Sequence, residues 1–161
     1  MPEVSSLHGL MVTCLRDLRK GEEETLKRFP AVLNAVRDSA TQLAMQQRLS
    51  DARERASLLD DLGRTLEINP MGDENIWMDG MLTDAEGDME TEEPGPLLDL
   101  ALIGAVRKMV NASLVSYETA VAVSDRLQLA DAAATFRTAH KHEHDAEQAL
   151  RAALFDVAAK R

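Results

Sequence analysis

The chain has 161 residues, enough to bury a core as one domain, and 45% of them are hydrophobic although only 3% are aromatic. Its formal net charge of -10 argues against a nucleic-acid-binding protein, which needs clustered lysines and arginines to neutralise phosphates. The single cysteine, Cys14, excludes an intramolecular disulfide and fits a reducing compartment. We therefore expect a cytoplasmic protein that binds no nucleic acid.

The sequence shows no sign of targeting to or through a membrane. The N-terminal segment MPEVSSLHGL has neither a basic region nor a long apolar run, so we expect no signal peptide. Elsewhere no stretch approaches the ~18 consecutive apolar residues that a membrane-spanning helix requires. We expect a soluble protein that has no membrane partner.

Apolar residues recur at steps of three and four along four long segments, which predicts four helices. The first spans about residues 6–37, with a kink or a restart at Pro30, because proline lacks an N–H and crowds the preceding turn. The others span about residues 40–67, 97–127 and 131–159. The composition agrees, since it favours helix and is poor in the aromatic residues that strands prefer.

The connections between the predicted helices differ in length. The links around RDSA and QLAD are short, which favours two antiparallel helical hairpins. The crossover at residues 68–96 is long enough to return the chain along the bundle. Two hairpins joined by one long crossover indicate an all-α, ferritin-like four-helix bundle, a single domain over residues 1–161. An extended coiled-coil hairpin is the alternative, and the crossover near mid-chain argues against it.

The crossover has two parts of different character. NIWMDGML is apolar enough to form a short helix, with Trp77 as its anchor. DAEGDMETEE is dominated by acidic residues, and we expect it to be solvated and mobile.

Polar residues interrupt the apolar stripes near the middle of the predicted helices. Glu22 stands on the stripe of the first helix, and His140, Glu143 and Glu147 stand on that of the fourth. An unpaired buried charge is costly, so such side chains must protonate, form ion pairs or bind a cation. The polar positions therefore predict a special site inside the bundle, unless the helices rotate so that these groups reach water.

The second predicted helix adds Arg48, Asp51 and Arg55 at the same level, and two arrangements would satisfy the charges. In one, carboxylates and an imidazole surround a divalent metal such as iron, manganese or zinc. The candidate metal ligands are Glu22, Asp51, His140, Glu143 and Glu147. In the other, Arg48 or Arg55 pairs with the carboxylates of the first and fourth helices and forms a polar layer in the core.

The segment HKHEH contains three histidines. Only His140 lies on the inner stripe of its helix, and we expect His142 and His144 to face solvent. Independent binding of nickel or zinc by this tract is a further hypothesis.

Other chemistry has little support in the sequence. It contains no Gly-rich phosphate loop, no CxxC and no nucleophile elbow, so we assign no catalytic residue. Tyr117 is expected to pack in the core with its hydroxyl near a polar partner.

Four segments in order along the chain carry a family resemblance. They are LRDLRKGEEETLKRFPAVL, NPMGDENIWMDGMLTDAE, LDLALIGAVRKMVNASLVSYETAVAVSDRLQLADAAATF and HEHDAEQAL. Together they resemble the YciF-like branch of the ferritin-like superfamily, stress-associated bacterial proteins, over about residues 7–155. The resemblance implies a four-helix bundle, a carboxylate-rich centre that can hold two metal ions, and a homodimer.

The ligand positions that this resemblance implies are only partly kept. Glu22 matches the acidic residue of the first helix, and Glu143 and Glu147 match those of the fourth. In the second helix, Arg48 and Asp51 stand where the family has a His-x-x-Glu pair. The imidazole of that pair is therefore replaced by a cation.

The third predicted helix departs further from the family pattern. Val110, Asn111 and Ser113 stand where the family reads Glu-His-Tyr-Glu, so no carboxylate remains at these positions. A two-metal centre needs carboxylates from facing helices. Arg48 would also repel a cation, whereas its guanidinium can bind a carboxylate through two nitrogens. The resemblance therefore implies a degenerate metal site, a salt-bridged core and no cofactor.

We accordingly expect a non-enzymatic bundle protein with a stress-response or scaffold role, acting as a homodimer. The alternative is an oxidoreductase or storage protein that binds iron or manganese through a remodelled carboxylate site.

Overall fold

The computed structural model describes residues 5–160, which form five helices and no strand. The helices are α1 Leu7–Ala35, α2 Ser39–Leu66, α3 Ile76–Thr91, α4 Pro96–Arg126 and α5 Ala130–Ala159. The four long helices, α1, α2, α4 and α5, lie close to the predicted bounds, and α3 forms within the crossover.

Residues 1–4, part of the segment on which the expectation of no signal peptide rests, lie outside the described residues, as does residue 161. From residue 5 to residue 160, no helix combines the length and hydropathy needed to cross a membrane.

Local sequence sets where the helices begin. Side-chain oxygens of Ser6, Asp38 and Asn75 each accept a hydrogen bond from a first-turn backbone N–H of α1, α2 and α3, at 2.9–3.0 Å. Pro96 is the first residue of α4. A backbone N–H at this position would have no acceptor within the helix, so proline loses no hydrogen bond there. α1 continues through Pro30 and does not restart there.

The four long helices pack as two antiparallel hairpins. α1 and α5 do not pack extensively on each other; each contacts both α2 and α4, and α3 covers α1 and α4. The Asp99 carboxylate, in the first turn of α4, accepts hydrogen bonds from the backbone N–H groups of Arg37 and Asp38, both at 2.9 Å. The start of α4 therefore lies beside the α1–α2 turn, and the crossover returns the chain along the bundle.

The acidic part of the crossover is helical, which differs from the prediction of a solvated, mobile segment. Residues 84–91 continue α3, with Ala85 buried and Met89 packed against the core. Glu86 accepts hydrogen bonds from Arg28 Nε and Nη2 at 2.8 and 2.7 Å, and these bonds lower the pKa of Glu86. Apolar contacts on one face and a cation from α1 thus order a segment whose composition alone suggests mobility.

The start of α3 is anchored on α1. Trp77 packs against the core, and its Nε1 donates to Asp17 Oδ2 at 3.1 Å. Asn75 Nδ2 donates to the Asp17 carbonyl at 2.9 Å. A Cβ at Gly21 would lie 2.8 Å from Asn75 Nδ2, so glycine permits this close approach.

The core consists of two apolar clusters stacked along the bundle axis. The lower cluster, near the α1–α2 turn, includes Phe29, Leu49, Val110 and Leu150. The upper cluster includes Leu18, Leu59, Tyr117 and Phe136. In each long helix, buried polar residues stand between members of the two clusters, among them Glu22, Arg55, Ser113 and Glu143.

Candidate functional site: a buried arginine–carboxylate layer

Two arginines of α2 and one carboxylate each from α1 and α5 form a layer between the apolar clusters. Arg55 Nε lies 2.6 Å from Glu22 Oε1, and Arg55 Nη2 lies 3.1 Å from Glu22 Oε2. Arg55 Nη2 is also 3.2 Å from Glu143 Oε1, and Arg48 Nη2 donates to Glu143 Oε2 at 3.1 Å. All four side chains are at most 5% exposed. The arginine–carboxylate layer thus carries two positive and two negative charges and is neutral as a unit.

Aromatic side chains complete the layer. The Tyr117 hydroxyl donates to Glu22 Oε1 at 2.8 Å, so the predicted polar partner is present. The Arg48 guanidinium carbon lies 5.1 Å from the centre of the Phe29 ring, within the range of a cation–π contact. Among the described residues, Arg48 Nε and Nη1 have no hydrogen-bond partner, and the face of Phe29 compensates part of that loss.

The neighbouring charges together outweigh the effect of burial on the pKa values of Arg55 and Glu143. Burial alone would lower the pKa of Arg55, but the carboxylates of Glu143 and Glu22 raise it above its ordinary value. Burial alone would raise the pKa of Glu143, but Arg48 and Arg55 lower it. Burial and the Glu22 charge raise the pKa of Tyr117 well above 10, so its hydroxyl remains a donor. Arg55 and Glu143 are therefore charged at neutral pH, and the Tyr117 hydroxyl keeps its proton.

Two of the five predicted ligands meet in this layer. Glu22 and Glu143 are joined by Arg55, which corresponds to the second of the arrangements expected from the sequence. On α4, Val110 and Ser113 are buried, but neither offers a carboxylate. The chemistry that the layer provides is charge pairing and hydrogen bonding.

Two other predicted ligands lie on the flank of α5 that faces α4. Arg107 Nε is 3.1 Å from both carboxylate oxygens of Glu147. His140 Nε2 is 3.0 Å from Glu118 Oε1, and the His140 side chain is 29% exposed. This differs from the inner position predicted for His140. The physical reason is that His140 stands three residues before Glu143, about 60° away around the helix, so His140 is turned toward α4 when Glu143 faces inward.

The fifth predicted ligand, Asp51, lies on the flank of α2 that faces α5. Gln47 Nε2 donates to Asp51 Oδ1 at 3.0 Å. His142 of α5 is near, with its Nε2 3.7 Å from Glu54 Oε2, and its side chain is only 18% exposed although the sequence predicts that it faces solvent. His144 is exposed, as expected. One sequence signal could find Glu54, namely its i, i+3 spacing from Asp51, but it does not indicate the contact with His142.

The arrangement of the helices is that of a ferritin-like helical bundle. A protein-family model described as "Domain of unknown function (DUF892)" matches residues 6–161, and the chain belongs to this family. Its structure is similar to that of the Escherichia coli stress protein YciF, with a TM-score of 0.93 and 17% identity over 98% of this chain and 99% of that one.

A second solved structure is also similar. It is YcfI, described as "a putative structural protein from Rhodopseudomonas palustris", with a TM-score of 0.87 and 20% identity over 93% of this chain and 96% of that chain. No curated protein sequence matches this chain. These comparisons confirm the predicted all-α, ferritin-like fold and the resemblance to the YciF-like branch. At identities of 17% and 20%, the two solved structures establish the fold, and a function for this chain has to be argued from its own residues.

Proposed function

We propose that this chain is a non-enzymatic ferritin-like bundle protein with a stress-response or scaffold role in the cytoplasm. In this proposal, the metal centre that the resemblance implies has been replaced by the arginine–carboxylate layer. The printed descriptions of the two neighbours, a stress protein and a "putative structural protein", are consistent with a stress-response or scaffold role.

One observation carries the proposal: Arg55 holds Glu22 through two nitrogens and also contacts Glu143. A guanidinium has five donors and no acceptor, so it cannot ligate a metal. It also occupies the carboxylates that would otherwise be ligands. A cation placed between these two glutamates would have to displace a positive charge that is already paired there.

The remaining residues of the layer do not fit a two-metal centre either. Arg48 brings a second guanidinium against Glu143. Val110 and Ser113, at the positions where the resemblance implies carboxylates on α4, are buried and offer no carboxylate. Two bridged metal ions need carboxylates from facing helices. The donor set thus favours a structural polar layer.

The test is aerobic incubation of untagged protein with Fe(II), with the rate of Fe(II) oxidation and the iron retained after dialysis as readouts. We use a His142→Ala background, because this removes an imidazole outside the layer that is close to Asp51 and Glu54. We expect oxidation no faster than in buffer and no stoichiometric iron. One or two iron ions per chain, retained and oxidised by this variant, would contradict the proposal and favour the metal-dependent alternative.

We further propose that the protein acts as a homodimer. Long amphipathic helices and the resemblance motivate this, and Leu43 of α2 and Phe155 of α5, which are 68% and 62% exposed, supply apolar surface for a contact. Light scattering should give about twice the chain mass of 17.7 kDa. A constant mass of one chain across a wide range of concentrations would remove the dimer.

A further inference from the structure

A second group of ionisable side chains lies outside the arginine–carboxylate layer, on the flank where α2 packs against α5. Asp51 and Glu54 stand three residues apart on α2, and His142 faces them from α5. One ligand atom of each side chain lies within 4.8 Å of the others. At metal–ligand distances of about 2.0–2.2 Å, neighbouring ligand atoms stand roughly 3–3.5 Å apart. Small rotations of the side chains would therefore bring the three onto one ion.

The charge at this flank is not compensated as it is elsewhere in the bundle. Glu22 and Glu143 are paired with arginines, and so is Glu147. Among the described residues, neither Asp51 nor Glu54 has a lysine or an arginine within ion-pair distance.

The imidazole of His142 is also held without a hydrogen bond. Its Nδ1 is buried and has no partner among the described residues. Its Nε2 is 3.7 Å from Glu54 Oε2, which is too long for a hydrogen bond. The His142 side chain is largely buried, although the preceding residue on α5 is exposed to solvent. A mostly buried imidazole beside two carboxylates without cationic partners is the arrangement that a metal ion would satisfy.

We propose that Asp51, Glu54 and His142 form a binding site for a divalent first-row transition-metal ion between α2 and α5. One imidazole and two carboxylates suit zinc and its neighbours in that row. The Glu54 side chain is 59% exposed, so water can reach the ion as a further ligand. The site is distinct from the arginine–carboxylate layer, which faces the inside of the same two helices. A bound ion would join α2 to α5, which belong to different hairpins, and so stabilise the bundle.

The experiment is calorimetric titration of untagged, chelator-treated full-length protein with Zn²⁺, with Co²⁺ absorption in the visible range as a second readout of coordination. We expect one ion per chain and a rise in the melting temperature. Loss of a residue that merely supports a ligand typically weakens metal affinity about 10–100-fold. His142→Ala, which removes a ligand, should therefore weaken binding at least about tenfold, and Asp51→Asn should do the same.

His144→Ala is the matched control, because His144 lies on the same helix two residues away and is exposed. It should leave the affinity for Zn²⁺ unchanged. Equal losses in His144→Ala and His142→Ala would assign binding to the HKHEH tract and overturn the proposal, as would the absence of saturable binding at one ion per chain. Zinc binding at this flank leaves the proposed function intact, since that proposal fails only if the His142→Ala variant oxidises and retains iron.

Discussion

Arg55 binds Glu22 through two parallel contacts, Nε to Oε1 at 2.6 Å and Nη2 to Oε2 at 3.1 Å. The same Nη2 lies 3.2 Å from Glu143 Oε1. One guanidinium on α2 therefore connects the carboxylates of α1 and α5, helices that share little contact of their own. This relationship ties the two hairpins together across the middle of the bundle.

Arg55→Met should destabilise the protein strongly. Methionine fills much of the space of the arginine stem but leaves Glu22 and Glu143 buried with less compensation. Removing one partner of a buried ion pair typically costs about 3–5 kcal/mol in the free energy of unfolding. Urea denaturation at pH 7 measures this difference.

The matched control for this variant is Arg64→Met on the same helix, because the Arg64 side chain is 73% exposed. Substitutions at exposed positions usually change the free energy of unfolding by less than about 0.5 kcal/mol. If Arg55→Met were as mild as Arg64→Met, the layer would make no net contribution to stability.

Tyr117, the only tyrosine in the chain, should not ionise until the protein unfolds. Its pKa is raised well above 10 by burial and by Glu22, whereas the unfolded chain has a tyrosine pKa of about 10. Because the folded state holds this proton more tightly, the free energy of unfolding should fall as pH rises above about 10.

An alkaline titration followed by near-ultraviolet absorption and circular dichroism tests this prediction. The phenolate signal and the loss of helix should appear together. A phenolate signal near pH 10 in protein that keeps its helices would show that the Tyr117 hydroxyl is accessible.

Asp38 caps α2, and its charge should contribute to stability in a pH-dependent way. Its carboxylate binds Lys160 Nζ at 2.6 Å and the backbone N–H and hydroxyl of Thr41 at 2.9 and 2.7 Å. These contacts, with Lys160 first, lower the pKa of Asp38 to about 2. The stability they provide is present above the unfolded pKa of about 3.9 and is lost as pH falls toward 2.

Asp38→Ala should therefore lower the free energy of unfolding by about 1 kcal/mol at pH 7, the usual effect of losing an N-cap. Asp38→Asn keeps a capping oxygen but loses the charge, so we expect a smaller loss. Urea denaturation at pH 7 and at pH 3 compares the variants. The difference between Asp38→Ala and the unmodified protein should shrink at pH 3, and a difference independent of pH would argue against the role of the charge.

Two helical glycines should respond in opposite directions to alanine. Gly104 in α4 has no atom within 4 Å of an added Cβ, so Gly104→Ala should stabilise the helix by up to about 1 kcal/mol. At Gly63 in α2, an added Cβ would lie 2.8 Å from the Ile68 carbonyl oxygen and 2.9 Å from Pro70 Cδ. Gly63→Ala should therefore destabilise, because the turn after α2 must shift.

Thermal denaturation of both alanine variants separates helix propensity from crowding. A rise in melting temperature for Gly63→Ala would mean that the turn at Ile68 adapts without loss.

The four long helices could be predicted from helical periodicity. Apolar residues at steps of three and four indicate a helix whichever element it packs against. The periodicity also placed polar residues at one level of the first, second and fourth predicted helices, and the positive charge at Arg48 indicated a salt-bridged layer. The helicity of residues 84–91 was not predictable in this way. It depends on Arg28 of α1 and on the core beside Met89, both distant in sequence.

The sequence by itself thus determined the helices, their pairing into hairpins and the level of the buried charges. Only the tertiary structure decided which charges meet. Neighbouring helical residues point about 100° apart, so the rotation of α5 about its axis sends Glu143 inward to the arginines and His142 sideways to Asp51 and Glu54. That rotation depends on how the apolar faces of four helices pack together. The apolar pattern of one helix does not specify it.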